Sequence, residues 1–183
     1  MNPIRWDLGE GLVVRTYVLD DATELYALID ANRERLRPWM FWEKLTRSPD
    51  DSRAFIERCL RVDDYEGNGL WLEGRLIGGM GLTLDLPVNS GEVGYWIDGS
   101  HEGRGIVTRA ATRFLDFGFD ELRLHRIELN AAVENTRSRA VAERLGMIEE
   151  GIARDGGKGG SGYQNMVRYA VLEDEWRARR VRA

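Results

Sequence analysis

Glu92-Val93-Gly94-Tyr95-Trp96-Ile97-Asp98, followed by Gly99-Ser100-His101 and then by Glu102-Gly103-Arg104-Gly105-Ile106-Val107-Thr108, reads as a strand, a short turn and a glycine-bearing helix start. The first N–H groups of a helix have no partner inside it. Together with the helix dipole they make a compact anion site. Gly103 and Gly105 let the main chain approach a ligand, because no β-carbon intervenes. The third glycine of a dinucleotide fingerprint and the Gly-Lys-Ser/Thr of a nucleotide phosphate loop are both missing. A tight strand-to-helix connection that binds nothing fits the same letters.

Outward from this stretch the chain alternates apolar runs with turn signals. Upstream, 12–19 is a β-branched strand, and Asp20-Asp21 opens a helix whose apolar face (Leu25, Ala27, Leu28, Ile29) runs to about Asn32. The aromatic stretch 36–42 is a short helix around Pro38. Ser48-Pro49 caps a helix with Phe55, Ile56, Cys59 and Leu60 facing a core. Strands at 70–72 and 76–82 are joined by Glu73-Gly74 and form an antiparallel meander with 92–98. Downstream come a helix over 105–119, a strand over 126–132, a helix over 135–145 ended by Gly146, and a strand from 147. A glycine-dense mobile loop at 155–162, a last strand at 163–172 and a frayed, charged terminal helix at 173–181 complete the chain.

Composition narrows the class. The chain has 183 residues, 43% of them hydrophobic and 31% charged, with a formal net charge of -5. That length suits one α/β domain, 1–183, with no linker-like break. The acidic balance argues against nucleic acid as a partner. No apolar run approaches the roughly 18 residues of a membrane span, and the N-terminus has no signal-peptide core, so a cytoplasmic protein is expected. A homodimer is open to such a chain. Cys59 is alone, so it forms no internal disulfide and reads as a buried core thiol. His101 and His125 read as a turn residue and a strand-entrance residue, without metal-ligand spacing.

Four segments, Trp96-Ile97-Asp98, 102–108, Leu124-His125-Arg126-Ile127-Glu128 and 135–147, together resemble the GNAT (Gcn5-related) N-acetyltransferase superfamily. Arg37-Pro38-Trp39-Met40 makes the chain similar to the RimJ/RimL branch, whose founding members acetylate the N-termini of ribosomal proteins. The resemblance implies a mixed, mostly antiparallel sheet of six to seven strands flanked by helices, splayed between the fourth strand (92–98) and the fifth (126–132). It implies acetyl-CoA as co-substrate and no metal. The family's phosphate pattern, Gln/Arg-x-x-Gly-x-Gly/Ala, falls on Glu102 to Val107. Gly105 matches it; Glu102 and Val107 depart from it. By resemblance Gly103, Arg104, Gly105, Ile106, Val107 and Thr108 hold the pyrophosphate, and Trp96, Ile97 and Asp98 pair with the pantetheine arm. A backbone N–H there faces the thioester oxygen.

Asn135 and Ser138 fit a plain helix cap. By resemblance Asn135 also reaches the pantetheine arm and Ser138 protonates the departing thiol. Many relatives use a Tyr for that purpose, at the position of Ala142 here. An ammonium cannot attack a thioester, so a base is needed. Candidates are Glu92, Asp98, Glu150 and Asp155; Glu92 leads, because alternation puts it on the face of Gly94 and Trp96. In some RimL-like members the base is a Glu before the last strand, where Gly157 stands here. Trp39 and Trp42, with Phe41, either pack a core or wall an acceptor pocket for a cationic amine. The acceptor is either a protein N-terminus or a small amine, including an antibiotic or toxin. The competing reading is an inactive acyl-CoA-binding regulatory module.

Overall fold

Glu73 and Gly74 both adopt positive φ, 52° and 79°, the backbone that two-residue hairpin loops favour. In a computed structural model, which describes residues 3–62 and 64–182, this turn joins β3 (Tyr65–Leu72) to β4 (Arg75–Asp85). Apolar alternation builds the rest: β1 (Arg5–Asp7), β2 (Leu12–Thr16), β5 (Ser90–Ile97), β6 (Arg126–Ala132), β7 (Ile148–Gly159) and β8 (Gly162–Leu172). They form one eight-stranded sheet in the order β1-β2-β3-β4-β5-β6-β8-β7.

Among the described residues only β5 and β6 run parallel, and they pair over three positions, Ser90 with Arg126, Gly91 with Ile127 and Glu92 with Glu128. Beyond Glu92, β5 stays with β4 to Ile97 while β6 stays with β8 to Ala132. The sheet therefore opens into a V where the sequence expectation put it. On one face α4 (Ile106–Asp116) and α5 (Thr136–Leu145) bury Ala110, Phe114, Leu115, Val141 and Leu145 against Val93, Ile127 and Leu129. A second cluster gathers Leu25 and Ile29 of α1 (Ala22–Ala31) and Ile56 of α3 (Pro49–Arg61) with Tyr17, Trp71 and Leu76. Between α1 and α3 lies the one-turn α2 (Arg33–Leu36). Ser48 caps α3, its Oγ accepting from Asp51 N. Among the described residues no helix is long and apolar enough to cross a membrane.

The fold departs from the expectations in several places. The eighth strand is β1, three residues long and without an alternation signal; Trp6 anchors it, 4.9 Å from the Phe114 ring. The first expected strand stops at Thr16, because Asp21 accepts from Val18 N at 2.8 Å and holds Arg15 by two bonds of 2.7 Å. The expected short helix around Pro38 is split between α2 before the proline and a 3-10 turn, Phe41–Lys44, after it. Leu60 is 44% exposed rather than core-facing. The α4 helix closes with a wider turn at Phe117–Glu121. The terminal helix α6 (Glu173–Arg182) is tied down, since buried Trp176 donates from Nε1 to Asp116 Oδ1 at 2.9 Å.

The largest departure is at 155–162, expected as a mobile loop. These residues belong to the β7–β8 hairpin, which docks on the Pro38 turn: Gly160 N donates to Arg37 O at 2.7 Å and Gln164 Nε2 to Pro38 O at 2.5 Å. A β-carbon on Gly159 would lie 2.2 Å from Pro38 O. The glycines here permit backbone-to-backbone contact rather than mobility.

Gly146 ends α5 with φ 73° and donates to Ala142 O and Glu143 O. Gly146→Ala is expected to cost at least about 1–2 kcal/mol, the penalty of a left-handed alanine, because its β-carbon would also displace the Arg179 guanidinium that donates to Arg144 O. Urea unfolding should show a lower midpoint at unchanged slope.

Candidate active site

The V is lined by backbone on the β5 side. Asp98 N donates to Ile77 O at 2.7 Å. Main-chain groups alternate sides along a strand, so the N–H groups of Ile97 and Tyr95 face the opening. Trp96 turns its own N–H to β4, opposite Gly79, and reaches the site through its ring. The Asp98 N–H is engaged by β4. The Asp98 carboxylate anchors the following turn, accepting from Ser100 Oγ and pairing with His101 Nδ1 at 2.8 Å. Asn32 Oδ1 accepts from Gly99 N at 3.1 Å.

Burial alone would raise the Asp98 carboxyl. Hydrogen bonds from Ser100, His101 and Asn32 outweigh it and hold the group at about 2, below its ordinary 3.8. A folded value below the unfolded one gives stability that is complete above about pH 4 and is lost as pH falls toward 2. The expected loss over that window is about 2 kcal/mol. Asp98→Asn should flatten this limb in urea unfolding followed from pH 5 to pH 2.

The turn then enters α4 through two left-handed glycines, Gly103 and Gly105, each with φ 73°. A β-carbon on either would meet nothing within 4 Å, so both are glycine for their backbone angle and face open space. Arg109 N makes the first α4 bond, to Gly105 O at 2.9 Å. The N–H groups of Ile106, Val107 and Thr108 therefore stand at the helix start without intrahelical acceptors. Ile106 is buried and Val107 packs on the core. Both side chains point away and leave the main chain to a ligand. Arg104 is exposed, and Thr108 Oγ1 accepts from Arg144 Nε at 3.3 Å. Glu102 is engaged by two cations, Arg35 and Arg137. Its charge is thereby offset beside an anion site.

Across the V, α5 opens on Asn135, whose Oδ1 accepts from Ser138 N at 3.2 Å. That is the plain helix cap. It leaves the Ser138 hydroxyl free of capping, and Ser138 Oγ lies 2.8 Å from Tyr95 Oη. Burial pushes the Tyr95 phenol up to about 12, with Ser138 and Arg144 opposing the shift. Ala142 is fully buried, so no acid projects from that position.

The opposite face of β4 and β5 floors a cavity of about 400 Å³, within the range of ligand pockets. Tyr17, Met40, Phe41, Trp42, Phe55 and Trp96 are among its lining residues. The Trp42 and Trp96 rings meet edge-on at 6.1 Å. Trp42 lines the cavity and also packs on the second core cluster, whereas Trp39 is half-buried in the Pro38 turn and outside the lining. Glu43, 2% exposed, holds the Trp42 turn: Arg33 Nη1 donates to its carbonyl at 2.6 Å and Arg37 Nε to its carboxylate at 3.0 Å. Glu92 is exposed between Thr83 and Glu128 and is not part of the lining. The lining carboxylate is Glu66, bonded by Arg58 Nη1 at 2.8 Å. Of the remaining candidates, Glu150 is locked to Arg126 and Asp155 is exposed in the β7 bulge.

Residues 11–148 match the family model described as Acetyltransferase (GNAT) domain. The chain belongs to the GNAT acetyltransferase family. Over 174 residues this GNAT chain is 37% identical to "Putative ribosomal N-acetyltransferase YdaF" of Bacillus subtilis (strain 168), spanning 92% of this chain and 95% of that protein. It superposes on the crystal structure of a "Probable acetyltransferase" with a TM-score of 0.86 at 36% identity, covering 94% and 99% of the two chains. It shares its fold with RimL, a ribosomal L7/L12 alpha-N-protein acetyltransferase in complex with coenzyme A (TM-score 0.87, 19% identity, 94% and 99% covered). The GNAT chain is RimJ/RimL-like, and its reaction is acetyl-CoA-dependent N-acetylation.

Tyr95, Tyr17, Phe55, Ser52 and Glu66 did not emerge as site residues from the sequence. The parity that put Glu92 with Trp96 also put Tyr95 on the other face, but nothing in the letters tells which helix side chain it meets there.

Proposed function

We propose that this GNAT enzyme acetylates the α-amino group of a peptide or protein N-terminus whose first residues are uncharged. The observation that carries this reading is the lining of the 400 Å³ cavity, in which aromatic and apolar residues outnumber polar ones and the single carboxylate, Glu66, is already engaged by Arg58, itself a lining residue. A polyamine needs several carboxylates; a monoamine with an apolar body needs an apolar wall. Ser52 also lines the cavity, and its buried hydroxyl has no partner among the described residues, so it is a spare hydrogen-bonding group for a polar acceptor atom. The likeness to a protein named as a ribosomal N-acetyltransferase points the same way.

In this reading the open N–H groups at 103–108 hold the pyrophosphate and Asn135 meets the pantetheine arm. The Ile97 N–H stabilises the developing oxyanion. Trp42 and Trp96 receive the ammonium over their faces. Glu66, rather than the exposed Glu92, takes the proton, directly or through water. Ser138 donates to the departing sulfur. Direct transfer between the two bound substrates follows from the two sites meeting at β5.

Incubation with acetyl-CoA and a panel of free-N-terminus peptides, 2-phenylethylamine and spermidine, read by mass spectrometry and thiol release, tests the reading. Acetylated peptides support it. Preference for phenylethylamine or spermidine overturns the acceptor assignment. Acetyl-CoA binding without turnover on any amine favours the inactive binding module.

A further inference from the structure

We propose that Tyr95 is a positioning residue that orients the Ser138 hydroxyl toward the sulfur of the departing thiol. The inference rests on the reading of Ser138 as the proton donor and adds to it how that donor is aimed. Three observations support it. First, Tyr95 lies on β5 three residues past the last β5–β6 pair, so its side chain leaves the strand where the V has opened. Second, Ser138 is the third residue of α5 on the other arm, and Asn135 has taken over the capping of its N–H. Third, the only acceptors within reach of the Tyr95 hydroxyl among the described residues are Ser138 Oγ at 2.8 Å and, more weakly, Ser138 O at 3.4 Å.

The chemistry of the two hydroxyls sets the direction of the bond. A phenol is the stronger acid and the better donor, so Tyr95 donates and Ser138 accepts. Ser138 is then held in one rotamer with its own proton free for a third atom. Without Tyr95 Oη, the serine hydroxyl samples its staggered wells, and its Oγ–H is free to turn to a nearby carbonyl instead. The proton balance is simple. The C–S electron pair leaves on sulfur, Ser138 supplies the proton of the new S–H bond, and Ser138 regains one from solvent. That proton matches the one the amine gives up. Tyr95 keeps its own, as a phenol raised by burial does throughout the working pH range. Ala142 stands where a directly donating tyrosine would project, which leaves the Tyr95–Ser138 pair as the hydroxyl system at this point of the V.

A double-mutant cycle on the full chain tests this, using acetyl-CoA and the best acceptor of the peptide and amine panel. Tyr95→Phe keeps the ring and removes only the hydroxyl. It is expected to lower kcat roughly 5- to 20-fold, with KM for acetyl-CoA within about twofold, and to have no further effect on kcat in a Ser138→Ala background. A structural role for Tyr95 would slow both backgrounds by the same factor. That result, or a normal kcat for Tyr95→Phe beside a slow Ser138→Ala, overturns the proposal and leaves Ser138 as donor. A normal kcat for Ser138→Ala overturns the donor reading and this inference with it. Thermal melting of each variant confirms that the comparison is between folded proteins.

Discussion

Gly105→Pro is expected to abolish acetyl-CoA binding, at least a 100-fold loss in affinity by calorimetry, while the protein stays folded. Gly105 sits at φ 73°, and proline is locked near −65°. The turn cannot keep its path, and the N–H groups of 105–108 no longer converge at the helix start. One N–H is also deleted outright. The loop is exposed and a β-carbon there would touch nothing, so the damage stays local and the core beneath α4 survives. Gly105→Ala separates the two causes. It keeps the N–H and pays only for a left-handed alanine, about 1–2 kcal/mol, so its affinity should fall roughly tenfold. Equal affinities for the proline variant and the parent protein would remove this turn from the cofactor site.

Ser138→Ala is expected to lower kcat about 100-fold and leave acetyl-CoA affinity within a factor of two. General acid catalysis is worth roughly 10² to 10⁴. The low end applies because a thiol, with an ordinary pKa of about 8.5, is a tolerable leaving group even without a proton. The α5 cap survives, since Asn135 Oδ1 binds the Ser138 N–H and not its hydroxyl. The loss should shrink as pH falls and solvent protonates the thiolate more readily. A pH–rate profile of steady-state thiol release measures both effects, and an unchanged kcat removes Ser138 from the chemistry.

Local signals were read correctly where one segment carries its own reason. The Glu73-Gly74 hairpin, the Ser48 cap of α3, the Gly146 stop of α5 and the glycine-bearing start of α4 are such segments. The resemblance extended this to the V between β5 and β6, which the pairing reproduces. Misreadings came where a distant segment completes the backbone. The glycine-dense 155–162 stretch has no side-chain signal for pairing; Arg37 and Pro38 carbonyls more than a hundred residues away hold its tip. The terminal helix looks frayed until Trp176 finds Asp116.

By itself the sequence determined most of the elements, their order and the glycine-bearing turn into α4, because helix caps, left-handed glycines and strand alternation act over a few residues. It also put Glu92, Gly94 and Trp96 on one face of β5, because strand parity is local. Only the tertiary structure decided that Trp42 and not Trp39 walls the cavity, that Glu66 and not Glu92 lines it, and that Tyr95 Oη meets Ser138 Oγ. Each of these brings together residues from different elements of the fold. The contact depends on how β5, α3 and α5 pack across the sheet, and no local pattern encodes that packing.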